Sequence, residues 1–259
     1  MDGMLIPPPE VLKLAGHPIR WSVLTRLARS DYRVQELVAF LQLPQNLVSY
    51  HLRQLRAGNL VTERKSSADE RSVYYSLDLE QFRMLYVQAG SHLHPALAHG
   101  LSEPSVANHL GKADAPPLRV LFLCTENSAR SQMAEALLRH LSHGTIEAKS
   151  AGSRPAERVH PLAVQVMGHR GFDMSQAHPK HFDEFLGQHF DAIVTVCDRV
   201  REVCPVFPDD PERIHWSFSD PAQVAGSEEE RLHAFEQISL QLTTRIRLLI
   251  TLLAREHRR

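Results

Sequence analysis

The sequence predicts two domains of different class, an α+β domain of short helices with a strand pair, then a three-layer α/β domain around a parallel sheet. Helical periodicity fills residues 9–57 and then gives way to two short β-branched and aromatic runs near residues 60 and 75. Beyond a stretch of small and turn residues ending in Pro116-Pro117, apolar runs alternate with helical stretches, the pattern of parallel βα units. All three cysteines (Cys124, Cys197 and Cys204) lie after that break.

The 259 residues suit two domains of about 100–150 residues each. With 43% hydrophobic and 23% charged residues the chain is neither disordered nor fibrous. A formal net charge of −1 argues against a wholly basic surface but leaves room for a local basic face. No apolar run approaches the ~20 residues of a membrane span. The start, MDGMLIPPPEVLKLAG, has no basic segment followed by an apolar one, so no secretory signal is expected. Three cysteines do not make a disulfide scaffold, and a reducing cytoplasm is the expected location. The expected division is a domain over 1–99, a linker over 100–117 and a domain over 118–259.

In the first half, Pro9 to Ala28 carries Val11, Leu14, Ala15, Trp21, Leu24 and Leu27 at helical spacing. Arg33 to Leu41 is a second amphipathic stretch with Val34, Leu37, Val38 and Leu41 on one face. Leu43-Pro44 breaks the chain, and Gln45 to Ala57 is a third helix with Val48, Leu52 and Leu55 inward. Gly58 is expected to end it at C′. Two short helices across a tight turn are a helix-turn-helix candidate. Leu60-Val61-Thr62 and Val73-Tyr74-Tyr75-Ser76 then read as a hairpin around the polar tip ERKSSADERS, the wing of a winged helix. Residues 45–75 hold five basic and three acidic groups, a local positive face of the kind phosphate contacts need.

The segments LKLAGHPIRWSVLTRL, VQELVAFLQLPQNLVSYHLRQLRAGNLV and RSVYYSLD resemble the ArsR/SmtB-type winged-helix repressors over roughly residues 8–90. The resemblance implies a homodimer joined through this domain, with the third helix in the DNA major groove. It places Gln45, Asn46, Ser49, Tyr50 and His51 against DNA, and Arg64, Lys65 and Arg71 on the wing against phosphates. Tyr50 stands where the family often has Arg. The half has no cysteine, which excludes the thiolate sensing common in that family. His92, His94 and His99 lack acidic partners at metal-site spacing, and no metal is expected.

In the second half, LRVLFL reads as a buried strand, Cys124-Thr125-Glu126-Asn127-Ser128-Ala129-Arg130-Ser131 as a loop, and QMAEALLRHLS as a helix. A loop that caps a helix N-terminus turns its backbone N–H groups inward as an anion cradle. Arg130 supplies a planar fork for a tetrahedral oxyanion. Cys124 sits at the base of the cradle, where the helix dipole and Arg130 are expected to lower its pKa and Ser131 to hydrogen-bond the thiolate. That thiolate is placed for in-line attack on the bound anion. DAIVTV is a further strand run leading to Cys197, with Cys204 seven residues on, a spacing unlike a zinc knuckle. Strand C-termini of a parallel sheet share one edge, which brings these thiols near the first. Asp220-Pro221 follows a short strand, and an acid beside an anion pocket can protonate a leaving oxygen.

The segments VLFLCTENSARSQMAEALLRHL, SAGSRPAERVHPLAVQVM, FDAIVTVCDRVREVCP and HWSFSDPAQVAGSEEERLHAFEQI resemble the thioredoxin-coupled arsenate reductases, which share the fold of low-molecular-weight protein tyrosine phosphatases. The resemblance implies a three-thiol relay. Cys124 attacks arsenate, Cys197 attacks the adduct so that arsenite leaves, and Cys204 takes over the disulfide and presents it to thioredoxin. The substrate loop is Thr125 to Arg130, and Asp220 is carried over with the catalytic set. The phosphatases share the loop and Asp-Pro without the downstream cysteine pair. Glu126 stands where both families usually have Gly. FDMSQAHPKHFDEF matches the segment that helps bind potassium in some reductases, with Asn127, Glu135 and Ser150 matching other residues there, and Lys180 replaces its carboxylate. No other cofactor is expected.

The whole reads as a DNA-binding regulator fused to an arsenate reductase. Two other classes stay open, a phosphatase fused to a regulator and a transcriptional sensor whose second half does not turn over.

Overall fold

The computed structural model describes residues 7–94, 97, 117–209 and 211–256. The chain divides into two compact units, Met1–Pro104 and Ser105–Arg259. The expected linker, apart from Pro117, lies outside the described residues, as does His99.

In the first unit the run expected over Pro9 to Ala28 is two helices, α1 (Glu10–Ala15) and α2 (Pro18–Leu27). Proline disfavours helical conformation in the residue before it, and His17 is extended at φ −85°, ψ 128°. His17 caps α2 by accepting the Ile19 N–H at Nδ1 over 3.2 Å. Trp21, expected inward, is 54% exposed. A short strand, β1 (Tyr32–Arg33), precedes α3 (Val34–Leu41), and α4 spans Gln45–Ala57. The wing is β2 (Val61–Lys65) and β3 (Val73–Leu77). The antiparallel sheet has the order β1-β3-β2, so the wing gains a third strand that two residues of sequence did not announce. Gly58 keeps φ −88°, and Asn59, at φ 54°, takes the left-handed position expected of the glycine. A Cβ at 58 would stand 2.1 Å from Leu14 Cδ1 of α1, so a larger residue there requires the Leu14 side chain to shift. Leu14, Val23, Leu37, Val48, Leu52 and Leu55 form the centre of this core. Helix α5 (Leu79–Leu93), capped by the Asp78 carboxylate, closes the described part of the unit. His92 lies in its last turn and His94 just beyond.

The second unit is a four-stranded parallel sheet in the order β5-β4-β6-β7, from β4 (Leu118–Cys124), β5 (Ile146–Gly152), β6 (Ala192–Thr195) and β7 (Glu212–His215). The two central strands, β4 and β6, are nearly continuous in apolar residues because both their faces are covered, whereas the edge strands β5 and β7 alternate polar residues. Helix α6 (Arg130–Leu141) joins β4 to β5, α7 (Pro161–His169) follows β5, and α8 (Asp198–Glu202) joins β6 to β7. The long α9 (Glu228–Glu256) packs on α6 and α7. The chain leaves β4 towards one edge and β6 towards the other. Right-handed crossovers then set α6 and α8 on opposite faces. The order reverses between β4 and β6, so the crevice at their C-terminal ends is the position where ligands bind such sheets. Cys124 ends β4 and Cys197 lies two residues past β6. No helix among the described residues is long and apolar enough to cross a membrane.

Candidate functional site

The loop from Cys124 to Ala129 is shaped by residues 153–160, within the SAGSRPAERVHPLAVQVM segment, to which the sequence alone assigns no role. The carbonyls of Cys124, Thr125, Glu126 and Ser128 accept the N–H groups of Ser153, Arg154, Ala156 and His160 at 2.8–3.2 Å. Each trans peptide sets its N–H opposite its carbonyl. The N–H groups of Thr125, Glu126, Asn127 and Ala129 therefore turn to the other side, where the Asn127 N–H meets Cys124 Sγ at 3.1 Å. Asn127 makes the turn at φ 48°, a left-handed value that asparagine tolerates. Gly152 allows the close approach, since a Cβ there would lie 2.6 Å from the Thr125 carbonyl. Ala129 opens α6 without a side-chain cap, which leaves the first helix N–H groups for an anion.

Around this cradle the predicted residues fall as follows. Cys124 Sγ is 2.8 Å from Ser131 Oγ, the expected hydrogen bond. Arg130 is 7% exposed and donates from Nη1 to the Phe218 carbonyl (3.1 Å) and from Nη2 to Asp220 Oδ2 (2.8 Å). Asp220 is thereby at the site, paired with Arg130. Cys197 is buried and lies 3.4 Å from Thr125 Oγ1, beside the loop. Cys204 is half-buried beyond the far end of α8, its Sγ 3.7 Å from the Pro205 carbonyl. Glu126 is exposed, and its carboxylate accepts from Ser128 Oγ at 3.3 Å. The side chain points outward and leaves the cradle free.

The thiol electrostatics differ from expectation. Burial pushes the Cys124 thiol up and the neighbouring Cys197 adds to this. Arg130, the Ser131 hydroxyl and the Asn127 N–H pull the other way without reversing it. Burial outweighs the Arg130 guanidinium, which also holds Asp220. Burial likewise raises Cys204, with Arg213 opposing.

Behind the loop a polar chain runs from the thiol to Lys180. Asn127 Nδ2 donates to Ser131 Oγ and Ser150 Oγ, each at 2.9 Å, and Ser150 donates to Glu135 Oε2 at 2.6 Å. The Lys180 ammonium stands 3.6 Å from that same Glu135 oxygen and donates to the His178 carbonyl at 3.1 Å.

On the first unit, Gln45, Asn46 and Tyr50 are exposed on α4 and Ser49 is half-buried. His51 is 3% exposed, which corrects its assignment to the DNA face. Its spacing from Val48, Leu52 and Leu55 puts it on the inward stripe, where its ring packs on His17 at 4.5 Å. Arg53, absent from the expected set, is exposed and continues the Asn46–Tyr50 row by helical spacing. On the wing Lys65 and Arg71 are exposed, Arg71 against Asp69 at 3.5 Å, and the half-buried Arg64 donates to the Lys65 carbonyl. Among the described residues no group of three or more histidines, cysteines or carboxylates gathers to hold a metal.

Burial, then His17, then Arg20 lower the His51 pKa. The unfolded chain then binds more protons than the folded one at acid pH, so stability falls as pH drops below about 6.5. Urea unfolding of His51→Leu is expected to show a weaker loss of stability between pH 7 and 5.5 than the parent chain.

Residues 119–259 match the family model of low molecular weight phosphotyrosine protein phosphatases, and residues 17–63 that of the bacterial regulatory protein arsR family. An arsenate reductase of Halalkalibacterium halodurans is 38% identical over 128 residues, 49% of this chain and 91% of that protein. One of Bacillus subtilis is 34% identical with the same coverage. The crystal structure of an arsenate reductase from Archaeoglobus fulgidus aligns at 32% identity and TM-score 0.43, over 51% of this chain and 98% of its own. The chain belongs to the low molecular weight phosphotyrosine protein phosphatase family, among its arsenate reductases, and carries an arsR-family winged helix ahead of that domain.

Proposed function

We propose that the second unit reduces arsenate to arsenite by a three-cysteine relay whose disulfide is reduced by thioredoxin, and that the first unit binds DNA as a homodimer in the cytoplasm. The observation that supports reduction over hydrolysis is Cys197, a second buried thiol within 3.4 Å of Thr125 Oγ1, one residue from the nucleophile.

Arsenate enters the cradle as a dianion. Its own oxygen takes the Cys124 proton. Cys124 Sγ attacks arsenic, and a hydroxyl leaves as water with the proton that came from the thiol, Asp220 lying where it can relay that proton. Cys197 thiolate then attacks Cys124 Sγ. The S–S bond forms, the S–As bond breaks, and its electron pair stays on arsenic, which leaves as arsenite. Cys204 thiolate attacks Cys197 Sγ and frees Cys124. The thioredoxin dithiol reduces the Cys197–Cys204 disulfide and supplies the two electrons. Ser131 and Asn127 hold Cys124, while Thr125 to Arg130 hold the oxyanion. The exposed Val203 and Val206 flank Cys204 where thioredoxin must reach it. One equivalent of arsenate without thioredoxin should leave a disulfide between two of the three thiols, read by peptide mass, with one arsenite released per chain. An unchanged thiol count with free phosphate released from aryl phosphate would overturn the reading.

The Lys180 ammonium stands in for the potassium ion of the resemblance, next to Glu135 and Ser150 on the chain leading to Cys124. Lys180→Ala should lose roughly fivefold in kcat/KM, the worth of about 1 kcal/mol for one partly buried charge pair. Added potassium should restore it, while leaving the parent chain unaffected.

For DNA, Gln45, Asn46, Ser49 and Tyr50 would meet bases, joined by Arg53, with Arg64, Lys65 and Arg71 on phosphates. A second copy covers the apolar groove lined by Leu12, Trp21, Phe82 and Tyr86. A gel-shift assay with DNA upstream of the chain's own coding sequence tests this half.

A further inference from the structure

A buried polar cluster sits immediately behind Cys197. Asp198, the residue after Cys197 and the first of α8, accepts at Oδ1 from Ser217 Oγ (2.7 Å), and the same oxygen lies 3.1 Å from His215 Nε2. His215 Nδ1 lies 2.8 Å from Thr195 Oγ1. Asp198 is 1% exposed, His215 3%, Thr195 5% and Ser217 8%. A carboxylate and an imidazole are costly to bury unless their polar atoms find partners. The carboxylate only accepts, which makes Nε2 the donor and lets Nδ1 accept the Thr195 hydroxyl. The residues on either side of Cys197, Thr195 two before it and Asp198 one after, are thus tied to one imidazole at the end of the neighbouring strand β7.

The other end of α8 has a different character. Val203 and Val206, either side of Cys204, are 55% and 84% exposed. The five residues of α8, which separate the two thiols, alone rise about 7.5 Å, beyond the roughly 4.4–6.8 Å between Cα atoms of a disulfide. The chain between Cys197 and Cys204 must therefore rearrange for those thiols to join. One end of the segment has to hold still for attack at Cys124 while the other moves.

We infer that Asp198 and His215, with Ser217 and Thr195, form a latch that fixes Cys197 beside the oxyanion loop while the Cys204 end of α8 opens. Asp198 and His215 are positioning residues in this account. The inference rests on the thiol relay proposed above, but its first readout does not.

The test is mass-resolved iodoacetamide labelling of the three thiols in the reduced full chain. Asp198→Asn and His215→Ala should label Cys197 at least tenfold faster than the parent, with Cys124 labelling and its protection by sulfate unchanged. His215→Gln, which keeps a donor for Asp198, should stay near the parent. Arsenite release in a single turnover should slow in the same two variants. Ser217→Ala, a milder change, should move Cys197 labelling in the same direction if the others fail to fold. Equal acceleration at all three thiols, or no change at Cys197, would reduce the cluster to core packing and overturn the latch. A parent chain that releases no arsenite would sink the reductase reading, while the labelling would still decide the latch.

Discussion

Cys124→Ser is expected to abolish arsenate-dependent turnover, by at least about 10³-fold, the scale seen when a catalytic nucleophile is removed. Serine preserves the cradle: its hydroxyl can still take the Asn127 N–H and lie near Ser131, which now contact the sulfur at 3.1 and 2.8 Å. Oxyanion affinity should therefore change little. Chemistry is lost for a specific reason. An oxygen–arsenic ester exchanges with water and moves no electrons, whereas the sulfur–arsenic bond lets Cys197 take the sulfur and leave the electron pair on arsenic. The paired measurements are arsenite production and sulfate binding by the same variant. Residual reduction above that level would point to another thiol as the nucleophile.

Arg130→Lys should lower kcat/KM for arsenate by about 10²–10³-fold, as expected for loss of one preorganised oxyanion donor. The guanidinium is a planar fork, and a lysine ammonium cannot reproduce two parallel donors at fixed spacing. The substitution also acts on the rim. Arg130 now holds the Phe218 carbonyl and Asp220, and with lysine there both lose a partner that is mostly buried. If Arg130 serves only to hold the 218–220 segment, Arg130→Lys would bind sulfate as the parent does, and the loss would be confined to a step needing Asp220. A combined fall in sulfate affinity and kcat is the outcome expected from direct contact with the anion.

The legible parts of this protein were those with local signals. The strand-loop-helix around Cys124 is a run of apolar residues, a turn and a periodic helix, and the structure keeps all three where the pattern set them. The third helix of the first unit was equally plain, because Leu43-Pro44 and Gly58 bracket an inward row of Val48, Leu52 and Leu55. The central strands β4 and β6 follow from their apolar runs, while the edge strand β5, IEAKSAG, carries no such run. The rest depended on partners distant in sequence or on competing local effects. Apolar spacing alone ran Pro9 to Ala28 together, although Pro18 restricts His17 and splits the helix. His51 was placed outward through family position, against its own spacing from the core residues. The carbonyl anchors at Ser153, Arg154, Ala156 and His160 leave no motif, since they act through backbone N–H groups. Arg130 does lower the Cys124 pKa, as its place in the loop suggests, but burial and the Cys197 thiol, seventy-three residues away in sequence, outweigh it. The Asp198–His215 contact likewise spans a crossover and has no local signature.

The account turns on Cys197 as the thiol that converts an oxyanion-binding loop into a reducing one. The direct measurement is NADPH consumption by the full chain with arsenate, thioredoxin and thioredoxin reductase, beside Cys197→Ser. The parent should consume NADPH in step with arsenite formed, and the variant should consume none while binding sulfate as the parent does. A parent that consumes no NADPH would contradict the relay, and aryl-phosphate cleavage that survives the substitution would mark the site as a hydrolase.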